Sequence, residues 1–343
     1  MIKIAVSGYY GFNNAGDEAI LEAVREGVGN KFPDAKISIL DRNNRFNLKM
    51  ILDCDVLLSG GGSLFQDKTS VRSFLYYTMV IRIAKLLGKK VFVFAQGIGP
   101  INRWHDLLIL KRILKTADLI TVRDMDSFNY YKSLKLDNPK IVETADPTFI
   151  LSPDDGPKLL ELEGLDLGKR PLIGVSVRDG IDHAKLAAAL DRLIKDSNAQ
   201  VVFIPLQFPR DLKASEQVIN QMKEKPNVLF RNCTPRQLMG AISCLDLLIG
   251  MRLHSLIFAV NTLVPAVGIS YDPKVESFMS EVGLPCLSAD DLNSDEIKST
   301  AAQLLDNIAG VKKSLEFERR KMRARAETNF GMLEMLMKGR MRV

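Results

Sequence analysis

The residues with the clearest chemical potential lie in the stretch Arg252-Leu253-His254-Ser255, between two apolar runs. Such a position is typical of a buried strand followed by a helix. His254 is one of only three histidines in 343 residues, and histidine is the side chain whose ordinary pKa permits proton transfer near neutral pH. A packed core histidine is the structural alternative, but the cations at adjacent strand ends favour acid–base catalysis by His254.

Basic side chains follow other predicted strands in the same way. Arg178 follows the strand-like run 172–177, and Lys274 follows the run 266–269. The intervening Asp272-Pro273 pair is typical of an N-cap and first helical residue, which puts Lys274 in the first turn of a helix. Because carboxyl ends of parallel strands meet at one edge of a sheet, we expect these cations, with Arg252 and His254, to converge on one small, highly charged anion.

A further arginine ends a strand in the first half of the chain. Arg123 follows the apolar run 119–122 and precedes Asp124, which is well placed to cap a helix beginning near Met125. Two interpretations of Arg123 stay open. It is either an ordinary surface ion-pair partner or an anion ligand that points into a cleft.

Glycine-rich segments follow two strands of the first half. In the segment 8–18, Tyr10 and Phe12 lie near Asn14 and Asp17. This combination suits a sugar, because an aromatic ring covers the apolar sugar face while amide and carboxylate groups bind hydroxyls. The alternative is a tight turn with packed aromatic rings. The glycine spacing does not match a dinucleotide-binding loop, and no phosphate-binding P-loop motif occurs.

The second glycine-rich segment, 59–67, contains three consecutive glycines. Glycine lets backbone amides approach a ligand closely. We therefore expect Ser63, Gln66 and Asp67 to face the ligand.

Strand-like apolar runs alternate with helical patterns along the whole chain. This alternation predicts an α/β protein with two Rossmann-like domains facing across a cleft, the GT-B architecture of many glycosyltransferases. A cluster of Pro, Asp and Gly at 152–157 marks the boundary between domains. The predicted domains are an N-terminal domain over 1–155, a C-terminal domain over 156–310 and a basic helix or tail over 311–343.

The C-terminal tail carries the whole charge surplus. Residues 312–343 hold ten Lys or Arg against four Glu, a difference of 10 − 4 = 6 that equals the formal net charge of +6. A basic helix followed by an apolar Met-rich stretch either lies on an anionic lipid surface or packs across the protein with a solvated face. The basic residues lack interleaved aromatics, which argues against nucleic-acid binding.

The remaining composition is that of an ordinary globular protein. The four cysteines are scattered, with no pair at metal-ligand spacing. The first residues lack the design of a secretory signal, and no apolar run is long enough to span a bilayer. We expect a cytoplasmic protein, with the inner face of the cell membrane as the place where a lipid-binding tail would hold it.

Four segments together carry a family resemblance: 10–18, 60–67, 252–254 and 271–274. In this order they resemble the polysaccharide pyruvyl transferases, and the likeness covers roughly residues 1–283. The chain looks most like the bacterial branch that modifies the secondary cell-wall polymers to which surface-layer proteins attach.

The resemblance implies transfer of the enolpyruvyl unit of phosphoenolpyruvate to two hydroxyls of one sugar, with formation of a pyruvate ketal and release of phosphate. The implied acceptor is a lipid-linked saccharide containing N-acetylmannosamine. The family implies Tyr10 and Phe12 on the acceptor side and Arg123, His254 and Lys274 on the phosphoenolpyruvate side. Arg178 and Arg252 join the second group from their positions alone. Phosphoenolpyruvate is a co-substrate, and the scheme requires no metal or other cofactor.

Three other functions compete with this one. A nucleotide-sugar glycosyltransferase of the GT-B fold would use basic groups to bind a diphosphate. A catalytically inactive carbohydrate-binding protein would keep the sugar loop without needing His254. An enolpyruvyl transferase that stops at the open enol ether would differ only in its product.

Overall fold

The computed structural model describes residues 1–67, 70–98, 101–136, 140–165 and 167–339. These residues divide into two units. Unit 1 comprises Met1–Phe12, Asp17–Ile150 and the described part of Met322–Val343, whereas unit 2 comprises Asn13–Gly16 and Leu151–Lys321. Each unit contains a parallel sheet with crossover helices, so the prediction of an α/β chain with two Rossmann-like domains is confirmed.

Unit 1 is built on a seven-stranded sheet in the order β2-β1-β3-β5-β6-β7, and β4 pairs with β5. Its strands are β1 Lys3–Ser7, β2 Lys36–Leu40, β3 Val56–Ser59, β4 Gly62–Phe65, β5 Lys90–Ile98, β6 Leu119–Val122 and β7 Ile141–Glu143. Its helices are α1 Ala15–Lys31, which starts in unit 2, α2 Leu48–Asp53, α3 Val71–Leu86, α4 Trp104–Thr116, α5 Met125–Ser133 and a 3₁₀ turn Pro147–Ile150.

Unit 2 is built on a six-stranded parallel sheet in the order β10-β9-β8-β11-β12-β13. Its strands are β8 Leu172–Ser176, β9 Gln200–Phe203, β10 Asn227–Val228, β11 Leu247–Gly250, β12 Ala266–Ser270 and β13 Cys286–Ser288. Its helices are α6 Gly156–Glu161, α7 His183–Ser197, α8 Arg210–Ile219, α9 Pro235–Ser243, α10 Leu253–Asn261, α11 Pro273–Glu281, α12 Ser294–Asp306 and the first part of α13 Ile308–Met337. The chain reverses its direction across the sheet between β8 and β11, the point at which such folds bind ligands.

The strands form where the sequence is continuously apolar. All residues of β3, β6, β8 and β11 are buried, as expected for parallel strands with both faces covered by helices. Two strands were not predicted. β4 begins inside the triple-glycine segment, and β13 is only three residues long, so neither has an apolar run that a pattern can detect.

The units differ from the predicted domains in the glycine-rich loop. Asn13–Gly16 belong to unit 2 rather than to the N-terminal domain. The reason is backbone pairing: the Ala15 N–H donates to the carbonyl of Leu206 at 2.8 Å, and Asn14 forms a bridge with Gln207. The predicted acceptor residue Asn14 therefore lies in the same unit as His254.

The C-terminal helix also differs from the predicted tail. The described residues of α13 beyond Lys321 belong to unit 1, where Asn329 donates to the carbonyl of Ala145 at 3.1 Å. Its apolar side chains Met332, Leu333 and Leu336 are buried. The burial of these side chains favours the alternative of a packed helix with a solvated face. No described helix has the length and apolar character of a membrane span.

Candidate active site

Unit 2 contains three of the four predicted anion ligands, Arg178, Arg252 and Lys274, each just beyond the carboxyl end of a strand. Strand register places Gly250 beside both Ser176 and Gly268, so the residues just beyond these three positions share one edge of the sheet. Arg178 and Arg252 lie two residues beyond β8 and β11 respectively. The carboxyl ends of neighbouring parallel strands are adjacent, so these residues follow strands at one edge of the sheet. Their convergence on one anion stays a prediction.

Arg178 and Lys274 meet around one aromatic ring. The Arg178 guanidinium carbon lies 4.0 Å from the centroid of the Tyr271 ring, and the Lys274 ammonium lies 5.9 Å from it. Among the described residues, Nε of Arg178 is buried without a hydrogen-bond partner. Lys274 pairs with Asp272 at 3.3 Å, and Asp272 caps α11, as predicted. A buried donor that lacks a protein partner is a place where a polar ligand or water is expected.

Arg252 is held differently. Its Nε donates to Oδ2 of Asp211 at 3.0 Å, its Nη2 donates to Oδ1 of Asp211 and, at 3.1 Å, to Oε1 of Gln207. Asp211 is fully buried. The guanidinium of Arg252 therefore forms a bidentate ion pair with a protein carboxylate. This carboxylate balances the charge of the arginine within the fold.

His254 lies in the first turn of α10 and packs against the backbone of the glycine-rich loop. A Cβ atom on Gly16 would lie only 2.1 Å from Nδ1 of His254 and 2.5 Å from its Cγ. Only glycine leaves room for the imidazole there. The side chain is half-buried, and its ring centroid lies 6.2 Å from that of Phe258 on the next turn.

In unit 1, Arg123 is neither a surface ion pair nor an unbalanced cation. Its Nη1 donates to Oδ2 of Asp146 at 3.0 Å and its Nη2 donates to Oγ of Ser63 at 3.2 Å. Arg123 and Asp146 are both buried. A Cβ on Gly97 would lie 3.2 Å from the guanidinium, so glycine in β5 makes room for this pair. Asp124 caps α5 by accepting from the N–H of Ser127, as predicted.

Tyr10 lies in the core rather than on the surface, which corrects its prediction as an exposed aromatic platform. It is 1% exposed, and its ring and hydroxyl lie against Gly8 and Gly60. The hydroxyl has no hydrogen-bond partner in the described part of the chain. Burial, together with the carboxylate of Asp17, raises the pKa of Tyr10 well above its usual value. The phenol therefore stays protonated and remains a hydrogen-bond donor.

Phe12, like Tyr9, is an aromatic residue of this loop that solvent reaches. It is half-buried and stacks on Tyr9 with ring centroids 4.2 Å apart. The Arg45 guanidinium carbon lies 5.1 Å from the Phe12 centroid, and that of Arg42 lies 5.6 Å from it. Two cations beside an aromatic face form a surface suited to a sugar that carries a negative group.

Of the other predicted acceptor residues, some make structural hydrogen bonds and others are accessible to solvent. Asp67 is buried and accepts from the backbone N–H groups of Asn102 and Arg103. Burial alone would raise the pKa of its carboxyl, but these hydrogen bonds outweigh it and hold the pKa below its usual value. Ser63 and Gln66 are half-buried, and Oδ1 of Asp17 lies 3.2 Å from the position of a Cβ on Gly62.

Sequence patterns do not reveal several partners of the site residues. Asp211 and Asp146 bind the arginines from 41 and 23 residues away, and such pairings leave no local spacing. Gln96 fixes the triple-glycine segment by donating to the carbonyl of Gly60 at 2.5 Å and accepting from the N–H of Leu64 at 3.3 Å. Within the described ranges, no group of three or more His, Cys, Asp or Glu is arranged to hold a metal ion.

Comparisons with known proteins agree on family and fold. The family model named polysaccharide pyruvyl transferase matches residues 14–273. The amylovoran biosynthesis protein AmsJ of Erwinia amylovora is 22% identical over 287 residues, covering 76% of this chain and 68% of AmsJ.

Solved structures share the fold at low identity. The UDP-GlcNAc 2-epimerase from Neisseria meningitidis bound to UDP-GlcNAc superposes with a TM-score of 0.67 at 11% identity, covering 98% of this chain and 100% of that one. Anabaena HepE in complex with UDP-glucose gives a TM-score of 0.62 at 12% identity, covering 99% and 100%. At such identities the likeness concerns the GT-B fold alone.

Proposed function

The chain belongs to the polysaccharide pyruvyl transferases, and we propose from this that it transfers the enolpyruvyl unit of phosphoenolpyruvate to two hydroxyls of one sugar. The proposed acceptor is N-acetylmannosamine in a lipid-linked precursor of a secondary cell-wall polymer, the kind of polymer that anchors surface-layer proteins. The observation that carries the proposal is the Arg178–Tyr271–Lys274 cluster, with the partnerless Nε of Arg178, at the switch point of unit 2.

This cluster suits phosphoenolpyruvate by charge. The donor carries a carboxylate and a phosphate on three carbons, so it needs several cationic donors in a small volume. Arg178 offers a planar fork and Lys274 a point charge. Arg252 and Arg123 are already paired with carboxylates. We propose that they act by fixing the shape and the electrostatic potential of their loops.

The proposed transfer needs no reagent beyond phosphoenolpyruvate and the sugar. A proton adds to the methylene carbon of phosphoenolpyruvate, and the first sugar oxygen bonds to the adjacent carbon while its hydroxyl proton leaves to a base. The carbon–oxygen bond to phosphate then breaks with its electron pair, and the second hydroxyl closes the ketal and gives up its proton. Two protons leave the sugar, one stays on carbon and one leaves with phosphate. His254 is the proposed proton carrier.

On the acceptor side, we propose that Phe12 covers the sugar face and that Ser63, Gln66 and Asp17 bind sugar hydroxyls. Phe12 is half-buried, with Arg42 and Arg45 near its ring. Asp67, being saturated with backbone hydrogen bonds, supports the loop. Tyr10 is enclosed in the core and supports the loop rather than touching the sugar.

Tyr10→Phe tests this last role. We expect the unfolding temperature to stay the same or rise slightly, because the lost hydroxyl has no partner in the described part of the chain. We expect KM for the sugar acceptor and KM for phosphoenolpyruvate both to stay unchanged, because the enclosed hydroxyl reaches no ligand. Tyr131→Phe is the matched control, since its hydroxyl is also buried without a partner there. A rise in KM for the acceptor in Tyr10→Phe alone would instead place the Tyr10 hydroxyl in the acceptor site.

Thermal unfolding separates the proposal from its main rival. Two of the structural neighbours carry UDP-sugars in their solved structures, so a nucleotide-sugar glycosyltransferase is the second candidate function. We expect phosphoenolpyruvate to stabilise the protein, by about 2.7 kcal/mol at 100 times its Kd, and UDP-GlcNAc to have no effect.

The same experiment needs a variant and a control. Arg178→Ala should lose the stabilisation by phosphoenolpyruvate, whereas Arg192→Ala should keep it, because Arg192 is a half-exposed partner of Asp295 on the surface of the same unit. Stabilisation by UDP-GlcNAc and none by phosphoenolpyruvate would favour the glycosyltransferase.

A further inference from the structure

Three neighbouring helices of unit 1 expose large apolar side chains. α2 packs against α3 and α3 against α4, and their inner residues, among them Ile51, Phe74 and Leu110, belong to one hydrophobic cluster. On the outer side, the fractional exposure of the six apolar side chains named next ranges from 43% at Leu75 to 74% at Trp104. We call this outer surface the α2–α4 face, defined by Leu48, Leu52, Leu75, Met79, Trp104 and Leu108.

The exposed residues of α3 form one stripe along the helix. They are separated by three or four positions, a spacing that puts side chains on the same helical face. The stripe consists of Arg72, Leu75, Met79, Arg82 and Leu86, all exposed. Apolar and basic side chains are therefore interleaved on the outward face of a helix whose opposite face is buried.

The α2–α4 face is predominantly basic. α3 contains no acidic residue, and the single acid of α4, Asp106, is buried. Asp53 at the end of α2 is the only exposed acid of the three helices, whereas Arg72, Arg82 and Arg112 are exposed. A partner that covers this face must therefore tolerate or prefer positive charge.

We propose that the α2–α4 face docks on an anionic lipid bilayer. Apolar side chains interleaved with arginines bind such a surface by burying apolar area and by attraction to anionic headgroups. Trp104, at the first position of α4, is the residue type that prefers the membrane–water interface. A second copy of the chain fits less well, because a two-fold contact would bring the same basic stripe against itself.

The docking surface is distinct from the C-terminal helix. In that helix the apolar residues Met332, Leu333 and Leu336 are buried, and Arg320, Arg323 and Arg325 pair with glutamates. The proposal also goes beyond pyruvyl transfer, since it concerns where the protein works and holds whichever sugar it modifies.

The chain provides its own probe of docking, because Trp104 is its only tryptophan. Full-length protein is floated with vesicles of phosphatidylcholine, with or without phosphatidylglycerol, while tryptophan emission is recorded. We expect binding to the phosphatidylglycerol vesicles, a blue shift of the emission and quenching by lipids brominated in the acyl chains. High salt should weaken the binding. No binding to anionic vesicles, or binding with unchanged emission, would overturn the proposal.

Two variants locate the contact. Leu75→Glu with Met79→Glu, and separately Arg72→Ala with Arg82→Ala, should each weaken vesicle binding by roughly 10-fold or more. Their unfolding temperatures should stay near that of the parent, because all four side chains are exposed. Phe317→Glu is the matched control: Phe317 is 69% exposed in the part of α13 that belongs to unit 2.

The outcomes are separable from those of the proposed function, since flotation needs no substrate. Equal losses in the Phe317 variant and the Leu75/Met79 variant would overturn the location. Self-association without lipid that the Leu75/Met79 variant abolishes would identify a second copy as the occupant instead. Loss of pyruvyl transfer with intact vesicle binding would leave the docking proposal standing.

Discussion

Replacement of His254 by alanine is expected to lower pyruvyl transfer by about 10²- to 10⁴-fold, the usual contribution of a positioned acid–base group. The imidazole lies in the first turn of α10, at the edge of the sheet where Arg178 and Arg252 also follow their strands. Its removal should leave thermal stabilisation by phosphoenolpyruvate largely intact, because the proposed donor ligands Arg178 and Lys274 remain. The measurement is the steady-state rate of phosphate release as a function of pH.

The control for this variant is His105→Ala. The side chain of His105 is 53% exposed, so its removal should change neither rate nor stability. A limb of the pH–rate profile that disappears in His254→Ala and persists in His105→Ala would identify His254 as the titrating group. Normal turnover in His254→Ala would remove this residue from the mechanism.

The four predicted phosphoenolpyruvate ligands fall into two physical kinds. Arg123 and Arg252 each form an ion pair with a buried carboxylate, and breaking such a pair leaves an uncompensated buried charge. Arg178 instead lies over an aromatic ring, with its Nε lacking a partner among the described residues. Loss of Arg178 should therefore affect ligand binding more than folding, and loss of Arg252 or Arg123 should affect both.

The fold was predictable because its strands are buried on both faces. Continuous apolar runs such as those of β3 and β8 stand out from the helical patterns around them, and caps such as Asp124 and Asp272 depend only on neighbouring residues. β4 was not predictable in this way. Its pairing with β5 depends on Gln96, which holds a glycine segment more than thirty positions earlier in the chain.

The site was predictable in its location but not in its pairings. Strand ends locate Arg178, Arg252 and His254 from local sequence alone, because parallel topology brings those ends together. The partner of a buried charge is chosen by tertiary packing, so Asp211 and Asp146 could not be assigned. For the same reason local sequence does not reveal the burial of Tyr10: only the close approach of Gly8 and Gly60 shows that its ring is enclosed.

A second large effect is expected from Gly16→Ala, which adds one methyl group beside His254. In the present backbone that methyl would lie 2.1 Å from Nδ1 of the imidazole, so the ring or the loop must move. A displacement of about 1 Å at a catalytic group costs on the order of 10²-fold in rate. We expect kcat to fall by that order with little change in KM for phosphoenolpyruvate, and the unfolding temperature to drop modestly through overpacking.

Gly29→Ala is the matched control, because Gly29 belongs to the same helix, α1, and a Cβ there meets nothing within 4 Å. That substitution should leave the rate unchanged and stabilise the helix slightly. If Gly16→Ala only lowered stability and kept full kcat below its unfolding temperature, the position of the imidazole would not limit the reaction. A loss of kcat that Gly29→Ala does not share would connect the glycine-rich loop to proton transfer by His254, because the two meet inside unit 2.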